Sequence, residues 1–231
     1  MIFLLAGLIQ GLTGFGSALV AIPLLCYLID IKTAVPLCML NSIIITTTMA
    51  LQLKKDIDRK KILPLCIGAV PGIVVGSTVL KMVDSTTIRF FMGILLVVYA
   101  IYSLAAQPKP RKLHSAWSWI AGFSSGAIGA AFSAGGPPTI IYTTLKNWSK
   151  DEIKATLTGF FMVNSYLTVT VHGLTGVTTQ QSFLLFLASA PFVLMGTLGG
   201  SRLYRFLPEK NYVPMIYGFL IVMGIMMIFG V

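Results

Sequence analysis

Charge is what this sequence has least of. Only 10% of its 231 residues are Asp, Glu, Lys or Arg, where a soluble domain carries about 25%. Too little polar surface remains to coat a water-soluble globule of this length, and the mean hydropathy of +0.87 agrees. The three cysteines, Cys26, Cys38 and Cys66, are odd in number, form no CxxC and sit in or beside apolar runs. A disulfide framework or zinc site is therefore not expected, and small packing residues are. No nucleotide-binding loop, dinucleotide fingerprint, metal-ligand cluster or nucleophile elbow occurs, and no carboxylate pair stands ready for acid–base work. Enzyme function and cofactors are not expected. No basic n-region precedes the first apolar stretch, which reads as part of the fold and not as a signal peptide.

What charge exists is basic, with 17 Lys and Arg against 7 Asp and Glu. Clusters of Lys and Arg between apolar runs fit membrane orientation better than nucleic-acid binding, because they accumulate on the cytoplasmic side. The partners to expect are a lipid bilayer and a small solute, not a nucleic acid.

The uncharged runs set the architecture. Residues 33–53, 62–80, 90–106, 155–172, 182–201 and 211–231 are each suited to one helical crossing, which needs roughly 20 residues. Residues 172–181 read as the polar turn between the fourth and fifth of these. The runs 1–29 and 116–145 are too long for one crossing and too short for two. Each is interrupted by glycine: Gly11-Leu-Thr-Gly-Phe-Gly16 in the first, Gly126-Ala-Ile-Gly129 through Ala134-Gly-Gly-Pro-Pro138 in the second. A broken helix at membrane depth survives only where it is buried in protein or lines a watery cavity.

The two interrupted runs also match each other without a gap, Ala6-Gly7-x3-Gly11-x2-Gly14-x8-Pro23 against Ala121-Gly122-x3-Gly126-x2-Gly129-x8-Pro138. Asn41-Ser42 is echoed by Asn164-Ser165, and Pro71-x4-Gly76 by Pro191-x4-Gly196. The expected fold is an all-α polytopic membrane protein of two tandem repeats, 1–106 and 116–231, joined by a basic linker at 107–115. Each repeat is a broken segment plus three spans.

Charge gives the relative orientation. The clusters at 54–61, 109–112, 146–154 and 202–210 are the basic ones, and 172–181 has no Lys or Arg. Eight simple crossings would put 109–112 and 146–154 on opposite faces. Re-entrant hairpins put all the basic clusters inside and make the repeats antiparallel, a recurrent transporter plan.

No charged residue lies within a run, so a binding site must be built from backbone dipoles, hydroxyls and amides. A half-helix starting at mid-membrane aims free N–H groups and a partial positive charge at an anion. The residues expected at such a site are Thr13, Gly14, Phe15, Gly16, Ser17, Asn41, Ser125, Gly129, Ser133, Gly135, Gly136, Pro137 and Asn164. Ser42 and Ser165 follow more weakly from the same echo. His172, at the end of a span, is a candidate for proton coupling because its side chain titrates near neutrality. The same glycines have a plainer use, since small residues let membrane helices pack closely.

The repeated Gly-x-x-Gly-x-Gly…Pro pattern, in Gly11–Pro23 and again from Gly126 to Pro138, resembles the sulfite exporter TauE/SafE family of membrane transporters. The resemblance covers almost the whole chain. It implies transport of sulfur-containing anions: sulfite, sulfoacetate and related organosulfonates, often outward. This chain departs from the usual triple glycine of the first motif, reading Gly14-Phe-Gly-Ser17, and carries Ala131 and then Gly135-Gly136 in the second. The expected function is a secondary transporter of a small anion in the cell (inner) membrane, the alternative a channel for small anions or neutral solutes. The coupling ion, H+ or Na+, and assembly into homo-oligomers stay open.

Overall fold

The structure is a computed structural model that describes residues 1–105, 113–204 and 209–230, the side chains of 209–215 excepted. Lys109, Arg111, Lys112 and Arg205, and the side chain of Lys210, lie outside the described residues. A chain with long uncharged runs must satisfy its backbone internally, and helix does so within one segment. Among the described residues there are ten helices and no strand: α1 (Ile2–Thr13), α2 (Ser17–Leu25), α3 (Ile31–Gln52), α4 (Arg59–Met82), α5 (Ser85–Ala105), α6 (Ala116–Phe132), α7 (Gly136–Thr144), α8 (Lys150–Leu174), α9 (Gln180–Leu203) and α10 (Glu209–Phe229).

Several helices start where a short polar side chain accepts from the first turn. Asp30 accepts from the Lys32 N–H at 2.8 Å, Asp58 from the Lys60 N–H at 2.9 Å, and Thr179 from the Ser182 N–H at 3.2 Å. Ser149 and Glu152 form a reciprocal capping box at the start of α8. Such caps contribute about 0.5–2 kcal/mol each.

Helices α3, α4, α5 and α9 are long and apolar enough to cross a membrane. Only 22% of the apolar window of α9 is buried, so Phe183, Leu187, Phe192 and Met195 point outward. An exterior this apolar belongs in lipid. Helix α8 is as long, but Thr156, Thr158, Asn164, Ser165, Thr168 and His172 run along its buried side. That polar stripe makes α8 the least lipid-like of the long helices and points it at the interior.

The halves of the chain pack against each other through bare backbone. A Cβ on Gly68, Gly72 or Gly76 of α4 would lie 2.4, 2.1 or 2.1 Å from the carbonyls of Trp119, Phe123 and Ala127 in α6. The pairs advance together, so α4 and α6 are parallel. Gly196 and Gly200 of α9 meet the Leu4 and Leu8 carbonyls of α1 in the same way, both at 2.1 Å. Helices α5 and α10 are antiparallel: Gly93 faces Gly224 and Ile228, while Tyr99 meets Tyr217 with ring centroids 6.0 Å apart. Helix α3 lies between α8 and α9.

Two ends of the bundle can be told apart by their contacts. At the first end Lys32 donates to the Lys81 carbonyl (3.3 Å), Lys81 to that of Thr175 (3.0 Å) and Arg89 to that of Cys26 (2.8 Å). At the second, Lys61 pairs with Glu152 at 2.5 Å and Lys146 donates to the Leu113 carbonyl at 3.4 Å. That last contact joins the residues just before α6 and just after α7, so this broken hairpin begins and finishes at the second end. Helix α1, parallel to α9, runs toward the second end, and α2 returns to Cys26 at the first. The two hairpins thus approach from opposite ends.

The breaks fall later than the first glycine of each motif. Gly11 and Gly126 are inside helices and pack on Ser201 and Ala69 respectively. Helix α1 ends at Gly14 (φ 87°), and Gly16 (φ 94°) precedes α2. These left-handed conformations cost a residue with a Cβ about 1–2 kcal/mol. Gly129, the sequence counterpart of Gly14, lies within α6, which continues to Ser133 (φ 55°).

Candidate functional site

The two breaks meet at the level of Ser42 and Ser165, midway along α3 and α8. Between them is a cavity of about 50 Å³, bounded by Phe15–Leu19 on one side and Ser133–Gly136 on the other. Gln10, Met39, Ser42, Phe161, Asn164 and Ser165 complete the wall. The volume suits about three to five waters, at roughly 10–15 Å³ each, or one small oxyanion.

No charged side chain lines this cavity. Its positive character comes from the helix starts. The first N–H groups of a helix have no intrahelical partner, and α2 has no side-chain cap. The Ser17 N–H and hydroxyl both donate to Gln10 Oε1, which leaves the Ala18 and Leu19 amides at the cavity wall. Helix α7 also lacks a side-chain cap, but Pro137 and Pro138 carry no N–H. Its contribution comes from Gly136 and from the preceding turn.

Side chains complete the arrangement unevenly. The Ser165 hydroxyl donates to the Phe161 carbonyl at 2.7 Å and meets the Ser42 hydroxyl at 2.9 Å. Ser165 has one proton, so Ser42 must supply the proton of the second bond. The pair therefore ties α3 to α8 and holds no proton for a ligand. Ser133 Oγ and Asn164 Oδ1, by contrast, are buried with no partner. A buried polar atom without a partner costs about 1–3 kcal/mol, which a ligand in the cavity would relieve.

Of the residues expected from sequence, Phe15, Gly16, Ser17, Ser133, Gly135, Gly136 and Asn164 line the cavity. The others stand apart. The Thr13 hydroxyl bonds the Ile9 and Phe15 carbonyls at 2.8 and 2.5 Å and so fixes the turn. Gly14 rests on the stem of Lys154. Ser125 bonds the Gly135 carbonyl and Thr139, holding the α7 start against α6, where Gly129 packs beneath Gly135. Pro137 faces a separate apolar pocket. The Asn41 amide donates to the Leu37 carbonyl at 3.0 Å and to Ser189 at 2.9 Å, outside the cavity wall. His172 is fully buried outside that wall as well, with Nε2 3.1 Å from the Ala130 carbonyl.

Gln10 is the polar wall residue that sequence reasoning missed, beside the apolar Met39 and Phe161. Its signal was an amide inside an uncharged run, which needs a partner in a membrane, and Ser17 lies seven residues on.

Toward the second end a larger chamber of about 450 Å³ adjoins the small cavity, sharing Phe15, Gly16 and Leu19 as a common wall. Lys146, Lys150 and Lys154 line it.

A lipid-facing helical bundle with two interrupted helices converging on an uncharged cavity has the architecture of the membrane transporters. The chain matches the family model described as sulfite exporter TauE/SafE over residues 1–227, and it belongs to that family. The family implies transport of sulfite- and sulfonate-type anions and is one of transporters, not enzymes. Among curated proteins and among solved structures, no match to the chain is found.

Proposed function

We propose that the protein is a secondary transporter that moves a sulfite-sized oxyanion across the cell membrane, binding it between the starts of α2 and α7. The observation that carries this reading is an uncharged cavity at which the α2 amides converge with the unpartnered Ser133 hydroxyl and Asn164 side-chain oxygen. Backbone N–H groups at a helix start hold an anion without a buried cation. They also let it leave, because no fixed opposite charge traps it. The Asn164 amide can present its NH2 to the anion by rotating about its last bond, since the two ends have nearly the same shape. The volume favours sulfite; larger organosulfonates require the wall to widen. The charge rule puts the second end, with 54–61 and 146–154, in the cytoplasm. The repeats are then inverted, and rocking of one against the other exposes the site to each side in turn.

Proteoliposomes containing the purified protein test this with radiolabelled sulfite. Saturable uptake with counterflow is the expected result, and Asn164→Ala raises KM about tenfold, as loss of a charge-assisted hydrogen bond does. Folded protein that moves no sulfite overturns the reading, and a single-channel current without counterflow replaces the carrier with a channel.

A further inference from the structure

Helix α8 carries a row of polar groups that the cavity shares only at one end. Asn164, Thr168 and His172 recur every fourth residue, so they lie on one face, about 6 Å apart along the axis. All three are buried, Thr168 and His172 completely. Each has a side-chain atom without a partner among the described residues: Asn164 Oδ1, Thr168 Oγ1 and His172 Nδ1. A hydroxyl on a helix commonly turns back to the carbonyl four residues earlier. Ser165, Thr170 and Thr175 do so at 2.7, 2.9 and 2.7 Å, and Thr168 does not. The row starts at the cavity wall with Asn164. It ends under the α8–α9 turn at the first end, where the Val177 and Thr178 N–H groups donate to the His172 carbonyl at 2.8 and 3.1 Å. Gly173 to Gly176 of that turn are exposed, so water lies next to His172 along the chain.

The imidazole is attached to the second break. Its Nε2 lies 3.1 Å from the Ala130 carbonyl. A carbonyl only accepts, so Nε2 carries the hydrogen and Nδ1 is a bare lone pair. Ala130 is in the last turn of α6, where carbonyls have no donor further along the helix and carry partial negative charge. Three residues on, Ser133 lines the anion cavity. One turn of chain therefore touches the imidazole with its carbonyl and the cavity with its hydroxyl.

Helices α3, α4, α6 and α7 pack against α8, and none brings a carboxylate. Their titratable groups are Lys32 and Cys38 on α3, Arg59, Lys60, Lys61, Cys66 and Lys81 on α4, and Tyr142 on α7; α6 has none. On α8 itself Lys150, Asp151, Glu152 and Lys154 are at the far end, and Tyr166 is exposed. The ammonium groups at the first end, Lys32 and Lys81, donate to the carbonyls of Lys81 and Thr175. Asp30 and Asp84 there accept from the Lys32 and Thr87 N–H groups, both at 2.8 Å. The turn 173–179 is uncharged.

We propose that His172 is the proton site of the transporter, and that one proton on Nδ1 travels with the anion held between the breaks. The Nδ1 lone pair takes the proton from water at the first end, while Nε2 keeps its hydrogen on Ala130. A lone charge at membrane depth is costly, so imidazolium and anion each favour the other's binding, and such linkage is reciprocal. When the site opens to the second end, the proton returns to water beside Thr168 and Asn164, whose free oxygens mark the route. The imidazolium is a positive charge that can be removed, which a lysine in the cavity would not be. This inference rests on the anion reading of the small cavity.

Two assays in proteoliposomes test it with radiolabelled sulfite: counterflow at equal pH, and accumulation in a more alkaline lumen with protein-free liposomes subtracted. His172→Gln keeps an N–H for the Ala130 carbonyl and takes up no proton. It is expected to leave counterflow within twofold and lower accumulation about tenfold, in the usual range of coupling between two sites. Sulfite's own protonation is common to both proteins, so the difference between them reports the side chain. Thr168→Val gives up no hydrogen bond, and is expected to lower accumulation about threefold with counterflow unchanged, as loss of one link in a hydrogen-bonded route does. A folded wild type that moves no sulfite in either assay overturns the anion reading, and this one with it. Counterflow without accumulation, or equal accumulation by wild type and folded His172→Gln, overturns the proton site and leaves the transport reading standing. Should His172→Gln not fold, Thr168→Val decides, and accumulation equal to the wild type overturns the proposal.

Discussion

Helix α2 starts behind two left-handed glycines, Gly14 and Gly16, and its first turn carries N–H groups on Ser17, Ala18 and Leu19. Helix α7 starts behind one left-handed serine, Ser133, and its first turn opens Gly136-Pro137-Pro138. The segments match in sequence yet differ in what they present. The first offers backbone, and its own Gln10 takes up Ser17. The second gives up two amides to proline and offers the Ser133 hydroxyl instead, beside Asn164 of α8. The sequence-matched breaks thus give a lopsided cavity wall, amide-rich on one side and side-chain-rich on the other. On the proposed anion reading, release begins at the weaker side.

The largest effect expected from this comparison is at Gly16. Gly16→Ala meets no atom closer than the Leu19 side chain at 3.9 Å, so its penalty is conformational. It should lower sulfite uptake roughly five- to thirtyfold, the equivalent of about 1–2 kcal/mol, while detergent-extracted protein stays folded by size exclusion. Equal loss from Ser133→Ala would show that the two breaks contribute alike.

Asn164→Ala should raise KM about tenfold, whereas Asn41→Ala, whose amide binds Ser189, should leave KM within twofold. The Asn41 change should instead lower stability in detergent by about the 0.6 kcal/mol typical of hydrogen bonds between membrane helices, seen as a small drop in Tm. Uptake kinetics and thermal melts on both variants check the pair.

Ser133→Gly separates two effects at one atom. Relief of the left-handed strain should raise the Tm, while loss of the hydroxyl should raise KM about fivefold. A fall in Tm with an unchanged KM would mean the hydroxyl only braces the turn.

The smallest effect concerns the second end. Hydrogen bonds from Lys61 and from Ser149 lower the Glu152 carboxyl from its ordinary 4.5 to about 2. A carboxyl depressed in the folded state stabilises fully above its unfolded pKa, so the Lys61 bridge is intact above about pH 5 and is lost as pH falls toward 2. Glu152→Gln should flatten the slight fall in Tm over that window, and a variant with the same slope as the wild type would exclude the bridge as its cause.

Much of this was legible beforehand. Uncharged runs became helices because hydrocarbon permits little else, and the two over-long runs each became two short ones. The position of each break was less legible. Glycine serves both a seam and a turn, and a spacing of three or four residues suits either. Gly11 and Gly126 went to seams, and only the backbone angles at Gly14, Gly16 and Ser133 mark the turns. Asn41 and Asn164 echo each other in sequence, but Ser189 on α9 intercepts the first. That contact depends on which helix lies opposite, which a linear pattern does not encode.

The seams carry a consequence for how the molecule is made. Each broken hairpin is clamped by a helix from the other half, α1 by α9 and α6 by α4, with carbonyls lying where a methyl would go. A ribosome that has released only the first half has therefore inserted a glycine face of α4 with nothing to cover it. Maturation waits for the last third of the chain, and a bisected gene should yield active protein only when both fragments are synthesised in the same membrane.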